Sequence, residues 1–182
     1  LPGARGLLAP ETVWGAIRGD NVHFAPATLV SVENTANRGG GSVYAQETLD
    51  AIAQGAHERG LKAHMDGARV FNASVASGVP LDRMVRDYDS VAFCLSKGLG
   101  APVGSLLVGP AEVIHRARRY RKLLGGGMGQ AGYLAAAGIY ALEHHIERLE
   151  QDHARARRLF QGLSALGYGC VAPETNMVYV TV

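Results

Sequence analysis

The alternation of apolar and polar positions divides the first part of the chain into short elements. Leu29-Val30-Ser31-Val32-Glu33 reads as a strand entering the Gly39-Gly40-Gly41 turn. From Gln46 to Arg59, Leu49, Ile52, Ala53 and Ala56 recur on one helical face, and Gly60 ends the helix. Leu61 to Met65 follows as a short strand ending at Asp66, Leu81 to Val85 as a short helix, and Ser90 to Cys94 and Gly104 to Val108 as further strands. Strands alternating with helices predict an α/β domain with a largely parallel sheet.

Beyond Pro110 the period becomes helical. Ala111 to Leu124, Ala131 to His144 and Ile146 to Leu166 are predicted helices joined by short Gly or polar connections. Gly167-Tyr168-Gly169 and Pro173 break the last one, and a strand-like run from Asn176 to Val182 follows. The chain begins at Leu1 and stops inside that run, so both ends read as cut. The expected organisation is the central part of a main domain over residues 1–145, then a connecting helix and the start of a smaller domain over 146–182.

Composition narrows the class more than the chemistry. With 182 residues, 47% hydrophobic and 19% charged, the chain has the profile of a globular protein. A formal charge of +2 is too small to imply nucleic acid or an anionic membrane as partner. Cys94 and Cys170 stand far apart without zinc-type spacing, so neither a disulfide framework nor a structural metal is expected, and a cytoplasmic location is. No apolar stretch approaches the roughly 18 residues of a membrane span.

Only three lysines are present, and their settings differ. Lys62 opens a strand, Lys122 closes an Arg-rich helix, and Lys97 lies in the loop Ser96-Lys97-Gly98-Leu99-Gly100 between two apolar strands. Loops at the carboxyl ends of strands are where open α/β sheets bind ligands, and a partly desolvated amine there suits Schiff-base chemistry. Asp66 ends the strand before it and could keep a pyridine nitrogen protonated; Arg69 could pair with Asp66 or meet a ligand anion. Taken singly, Lys97 also reads as a solvated loop lysine, and Asp66 as a helix N-cap beside a surface Arg.

Other signals carry less. Gly127, Gly129 and Gly132 spell G-x-G-x-x-G, but a predicted helix precedes them instead of a strand, so they read as a connection. Arg116, Arg118, Arg119, Arg121 and Lys122 wrap most of a helix and read as a solvated face or subunit contact. His64 shares a strand face with Asp66, whereas His144, His145 and His153 lack metal-site spacing.

Jointly, a strand-end Asp and a Gly-loop Lys one helix-strand unit apart form a constellation. Asp66-Gly67-Ala68-Arg69, the run from Cys94 to Ser105, Glu33-Asn34-Thr35 and the run from Arg121 to Met128 resemble the low-specificity threonine aldolases of fold type I, in the β-eliminating lyase group. The similarity extends from about Asp20 to His153. It implies a fold-type-I large domain, a mostly parallel sheet flanked by helices, truncated at both ends. It further implies pyridoxal 5'-phosphate as cofactor, carried on the amine of Lys97, with Asp66 on the pyridine nitrogen and Arg69 and Ser96 among the cofactor contacts. Lys122 would serve as a substrate or subunit contact. The implied reaction is cleavage of L-threonine or L-allo-threonine to glycine and acetaldehyde by a homodimer or homotetramer.

Two positions depart from the family. It usually has His after Glu-Asn-Thr where this chain has Ala36, and Met-Arg-Gln where this chain reads Met128-Gly129-Gln130. Ala36 leaves the base for the substrate hydroxyl open. Two alternatives stand: another fold-type-I lyase acting at Cβ, since the Asp-Lys core is shared across that group, and a non-catalytic relative, which Ala36, Gly129 and the cut ends favour. The chain as given is expected to be a poor aldolase.

Overall fold

Three strands separated by helices and a fourth that doubles back build the main sheet. A computed structural model describes residues 1–181. Its elements are α1 (Pro10–Gly15), β1 (Leu29–Glu33), α2 (Gln46–Glu58), β2 (Lys62–Asp66), α3 (Val70–Ser77), α4 (Leu81–Val85), β3 (Ser90–Cys94) and β4 (Ser105–Val108). Then come α5 (Ala111–Leu123), α6 (Gly132–His144), α7 (Leu149–Ala165), β5 (Gly169–Val171) and β6 (Tyr179–Thr181). The four-stranded sheet has the order β1-β2-β3-β4, with β1, β2 and β3 parallel and β4 antiparallel at the edge. β5 and β6 form a separate antiparallel pair. Val182, the last residue of the expected terminal strand, lies outside the described residues.

Alternation along the strands decides which face meets the core. Val32, Met65 and Val91 turn inward, where they pack with Leu49 and Ile52 of α2, Val70 and Phe71 of α3, and Met84 of α4. Phe93 adds an edge-on contact with Phe71 at 5.4 Å between ring centroids. Asp66 points the other way and is exposed, and His64 on the same face is half-buried, its Nδ1 2.8 Å from Ser90 Oγ on β3.

Several boundaries differ from the sequence pattern, and two of them have clear local reasons. β2 starts at Lys62, because Leu61 donates its N–H to Ala56 O (2.9 Å) and closes the end of α2, where Gly60 takes a φ of +70°. α7 starts at Leu149, because residues 145–148 form a corner that turns the chain back against α3.

Candidate active site

The register of the parallel strands gathers the expected residues at one edge. Glu33 pairs with Asp66 and Asp66 with Ala92, so the carboxyl ends of β1, β2 and β3 lie side by side. Two further bonds extend this edge past the strands: Asn34 N–H donates to Asp66 O (2.9 Å), and Gly67 N–H to Ala92 O (2.7 Å). Asp66 Oδ1 accepts the N–H of Ala68 at 3.1 Å, turning the chain toward α3. Asp66 is not the helix cap; Arg69 holds that position.

Lys97 follows β3 in a closed loop. Leu95 N–H donates to Gly104 O (2.9 Å), Ala101 N–H to Leu95 O (3.0 Å) and Gly100 N–H to Lys97 O (2.9 Å). Gly100, at φ +74°, takes the left-handed conformation of that turn. Leu95 and Leu99 are buried on either side of exposed Ser96 and Lys97, which fixes the loop from below and leaves the amine above. The desolvation expected of this amine is not supplied by the described residues. At Gly98 smallness answers to packing underneath: an added Cβ would lie 2.8 Å from Leu149 Cδ2 and 3.4 Å from Asn72 Oδ1. Among the described residues, neither Lys97 nor Asp66 takes part in an ion pair.

Arg69 does not pair with Asp66 among the described residues. Its Nη1 donates to Asn37 Oδ1 at 3.0 Å, while Asn37 N–H donates to Glu33 Oε2 at 3.0 Å and Tyr179 OH to Asn37 O at 2.9 Å. Asn37, Glu33 and Tyr179 therefore orient Arg69, a role that sequence reading missed. The available signal was Asn37 itself, a polar residue beside the Gly39-Gly40-Gly41 turn.

The remaining candidates separate from this edge. Lys122 is exposed near the end of α5 and, among the described residues, forms no hydrogen bond or ion pair with Lys97, Asp66 or Arg69. Gly129 is exposed in the α5–α6 connection with nothing within 4 Å of an added Cβ. Ala36 is closed in: it is 2% exposed, its N–H bonds Ser42 O at 2.9 Å, and its methyl lies 3.0 Å from where a Cβ on Gly6 would sit. Among the described residues no cluster of three or more His, Cys, Asp or Glu could hold a metal.

The strongest carboxylate perturbation lies at the opposite edge. Burial pushes the Asp89 carboxyl up, but hydrogen bonds from Lys62, from Ala63 N–H and from His57 outweigh it and bring the pKa down to about 2. These contacts, at 2.8 to 2.9 Å, tie the starts of β2 and β3 together and have a structural role. The candidate site is located by strand register.

Comparisons with known proteins bear on the family and the fold. The chain is 47% identical over 179 residues to the low specificity L-threonine aldolase of Escherichia coli K12, covering 98% of this chain and 53% of that protein. It thus spans about half the length of the curated relatives it matches. The solved threonine aldolase of Leishmania major superposes with a TM-score of 0.84 at 22% identity, over 99% of this chain and 54% of that one. A C–S lyase of Staphylococcus hominis solved with PLP bound shares the fold at a TM-score of 0.65 and 16% identity, over 96% of this chain and 45% of that one. The architecture is the fold-type-I arrangement, an α/β domain on a mostly parallel sheet flanked by helices. The pattern of the beta-eliminating lyases matches residues 1–182, and the chain belongs to that family.

Proposed function

We propose that the protein is a pyridoxal-phosphate-dependent lyase that cleaves threonine or allo-threonine to glycine and acetaldehyde. The observation that carries the reading is the placement of Asp66 at the carboxyl end of β2 and Lys97 just beyond that of the adjacent parallel β3, a carboxylate and an amine without ion pairs among the described residues. The name of the Escherichia coli relative supports the substrate class.

These residues suit the cofactor's functional groups. Lys97 offers an exposed primary amine to an aldehyde, and Asp66 Oδ2 offers an acceptor for a ring N–H, since Oδ1 is already engaged by Ala68. Ala92, beside Asp66 in the register, presents only a methyl group on this sheet face. When bound, the cofactor supplies an electron sink for breaking the Cα–Cβ bond. Asp66 holds a proton at the ring nitrogen, Ser96 donates to the cofactor, and Arg69, aimed by Asn37, binds an anionic group of cofactor or substrate. Ala36 bears no proton acceptor, so another group takes the hydroxyl proton. Lys122 belongs to the substrate or subunit surface.

We assign residues 1–145 to the cofactor-binding domain and 146–182 to the connection toward a second one. A homodimer or homotetramer is the assembly we infer, because α6 is apolar all round yet buries only Gly138 and Ala141, leaving Tyr133, Ile139 and Tyr140 exposed. Among the described residues no helix is long and apolar enough to cross a membrane, and we place the protein in the cytoplasm. The test is product analysis after reconstitution with pyridoxal phosphate and allo-threonine. Glycine and acetaldehyde in equal amounts support the reading; ammonia and a keto acid would assign a different lyase.

A further inference from the structure

We infer that His145 is a positioning residue for Lys97, holding the lysine loop in place by a single hydrogen bond from the α6–α7 corner. This rests on the reading of Lys97 as the cofactor-bearing residue. The His145 Nδ1–H donates to the carbonyl of Leu99, two residues after Lys97, at 2.6 Å. Among the described residues it is the only hydrogen bond that joins residues 96–100 to another element; the remaining bonds close the loop on itself.

That contact matters because of what surrounds it. The loop contains Gly98 and Gly100, the latter at φ +74°, so its backbone has little stiffness of its own. Leu99 is 3% exposed and Gly98 rests against Leu149 and Asn72, contacts that resist compression but do not set the direction of the Leu99 carbonyl. His145 sets it. Its backbone is held by a bond from its N–H to Ala141 O at 2.9 Å, and its ring meets Tyr140 edge-on at 5.5 Å. A carbonyl can only accept, so Nδ1 carries the hydrogen whether the imidazole is neutral or charged, and the bond is kept in both states.

The corner adds a second contact. His145 still sits on the hydrogen-bond ladder of α6, and the turn at 145–148 then brings Leu149 against Gly98 and His153 against Asn72. Lys97 is thus attached to two helices remote from it in sequence.

The test compares His145→Leu, which removes the donor, with His145→Asn, whose amide nitrogen can take the place of Nδ1. The first arm needs no cofactor. Amide hydrogen exchange over residues 95–104 should rise about tenfold in His145→Leu and return toward the parent in His145→Asn, with the β2 peptide unchanged in both. In the second arm, with pyridoxal phosphate, His145→Leu should shift the pH dependence of the cofactor's visible band and slow borohydride trapping at Lys97, and His145→Asn should restore both. Unchanged exchange and trapping in His145→Leu would overturn the inference, as would equal damage in both variants. If the parent itself traps no label on Lys97, the cofactor reading fails while the exchange arm still decides whether His145 holds the loop.

Discussion

Replacing Gly98 by Ala probes the packing that fixes the lysine loop. The new methyl would lie 2.8 Å from Leu149 Cδ2 and 3.4 Å from Asn72 Oδ1. Leu149 is fully buried, and Asn72 is held by a 3.0 Å contact with His153, so neither can swing into solvent. The loop must lift or the α3–α7 contact must open. Inserting a methyl into such a core costs about 1–3 kcal/mol. At about 2–4 °C per kcal/mol for a chain of this size, the melting temperature should fall by roughly 2–12 °C. Gly162→Ala is the control, since it lies within α7 with nothing within 4 Å of an added Cβ, and it should stabilise by up to about 1 kcal/mol. Urea unfolding of Gly98→Ala, Leu149→Ala and the pair closes a double-mutant cycle. The pair should lose less than the sum of the singles by about 0.5–3 kcal/mol. A Gly98→Ala protein within about 0.5 kcal/mol of the parent, or strict additivity, would refute the packing argument.

Three further perturbations test separate parts of the account. Asp66→Ala should still trap cofactor on Lys97 under borohydride but lower glycine release by about 10²-fold or more, whereas loss of trapping would show that Asp66 serves attachment instead. Ala36→His should destabilise by about 1–3 kcal/mol without gain of activity, because Ala36 is 2% exposed beneath Gly6; a stable, faster variant would contradict that placement. Burial, assisted by Arg157, lowers the pKa of His153, so the unfolded chain takes up the proton first, and stability falls as pH drops below about 6.5. His153→Gln, which can still accept from Asn72, should lose less stability than the parent between about pH 7.5 and about pH 5.5 in urea titrations; equal losses would argue against a neutral buried imidazole.

Much of the frame was legible because it is local. β1, β3 and α4 occupy the spans expected from their patterns, since alternation or a short amphipathic run marks each. α3 escaped pattern reading: Val70, Phe71, Asn72 and Ala73 are all buried, and a short helix whose first turn is buried all round shows no period. Lys97 and Asp66 were visible as strand-end residues, and parallel register then places them at one edge. The network behind Arg69 was not, because Arg69 and Asn37 lie 32 positions apart and Tyr179 reaches Asn37 across 142. His145 was hidden for the same reason, its partner Leu99 being 46 positions away. Such contacts arise from topology, which no local period encodes.

The central claim, that Lys97 bears the cofactor, is met most directly by locating the covalent label. The protein is incubated with pyridoxal phosphate, reduced with borohydride and digested, and the modified lysine is identified by mass spectrometry. The account predicts one pyridoxyl group on the peptide containing Ser96-Lys97-Gly98, lost in Lys97→Ala with no compensating label elsewhere. A label on Lys62 or Lys122 in place of Lys97 would contradict it.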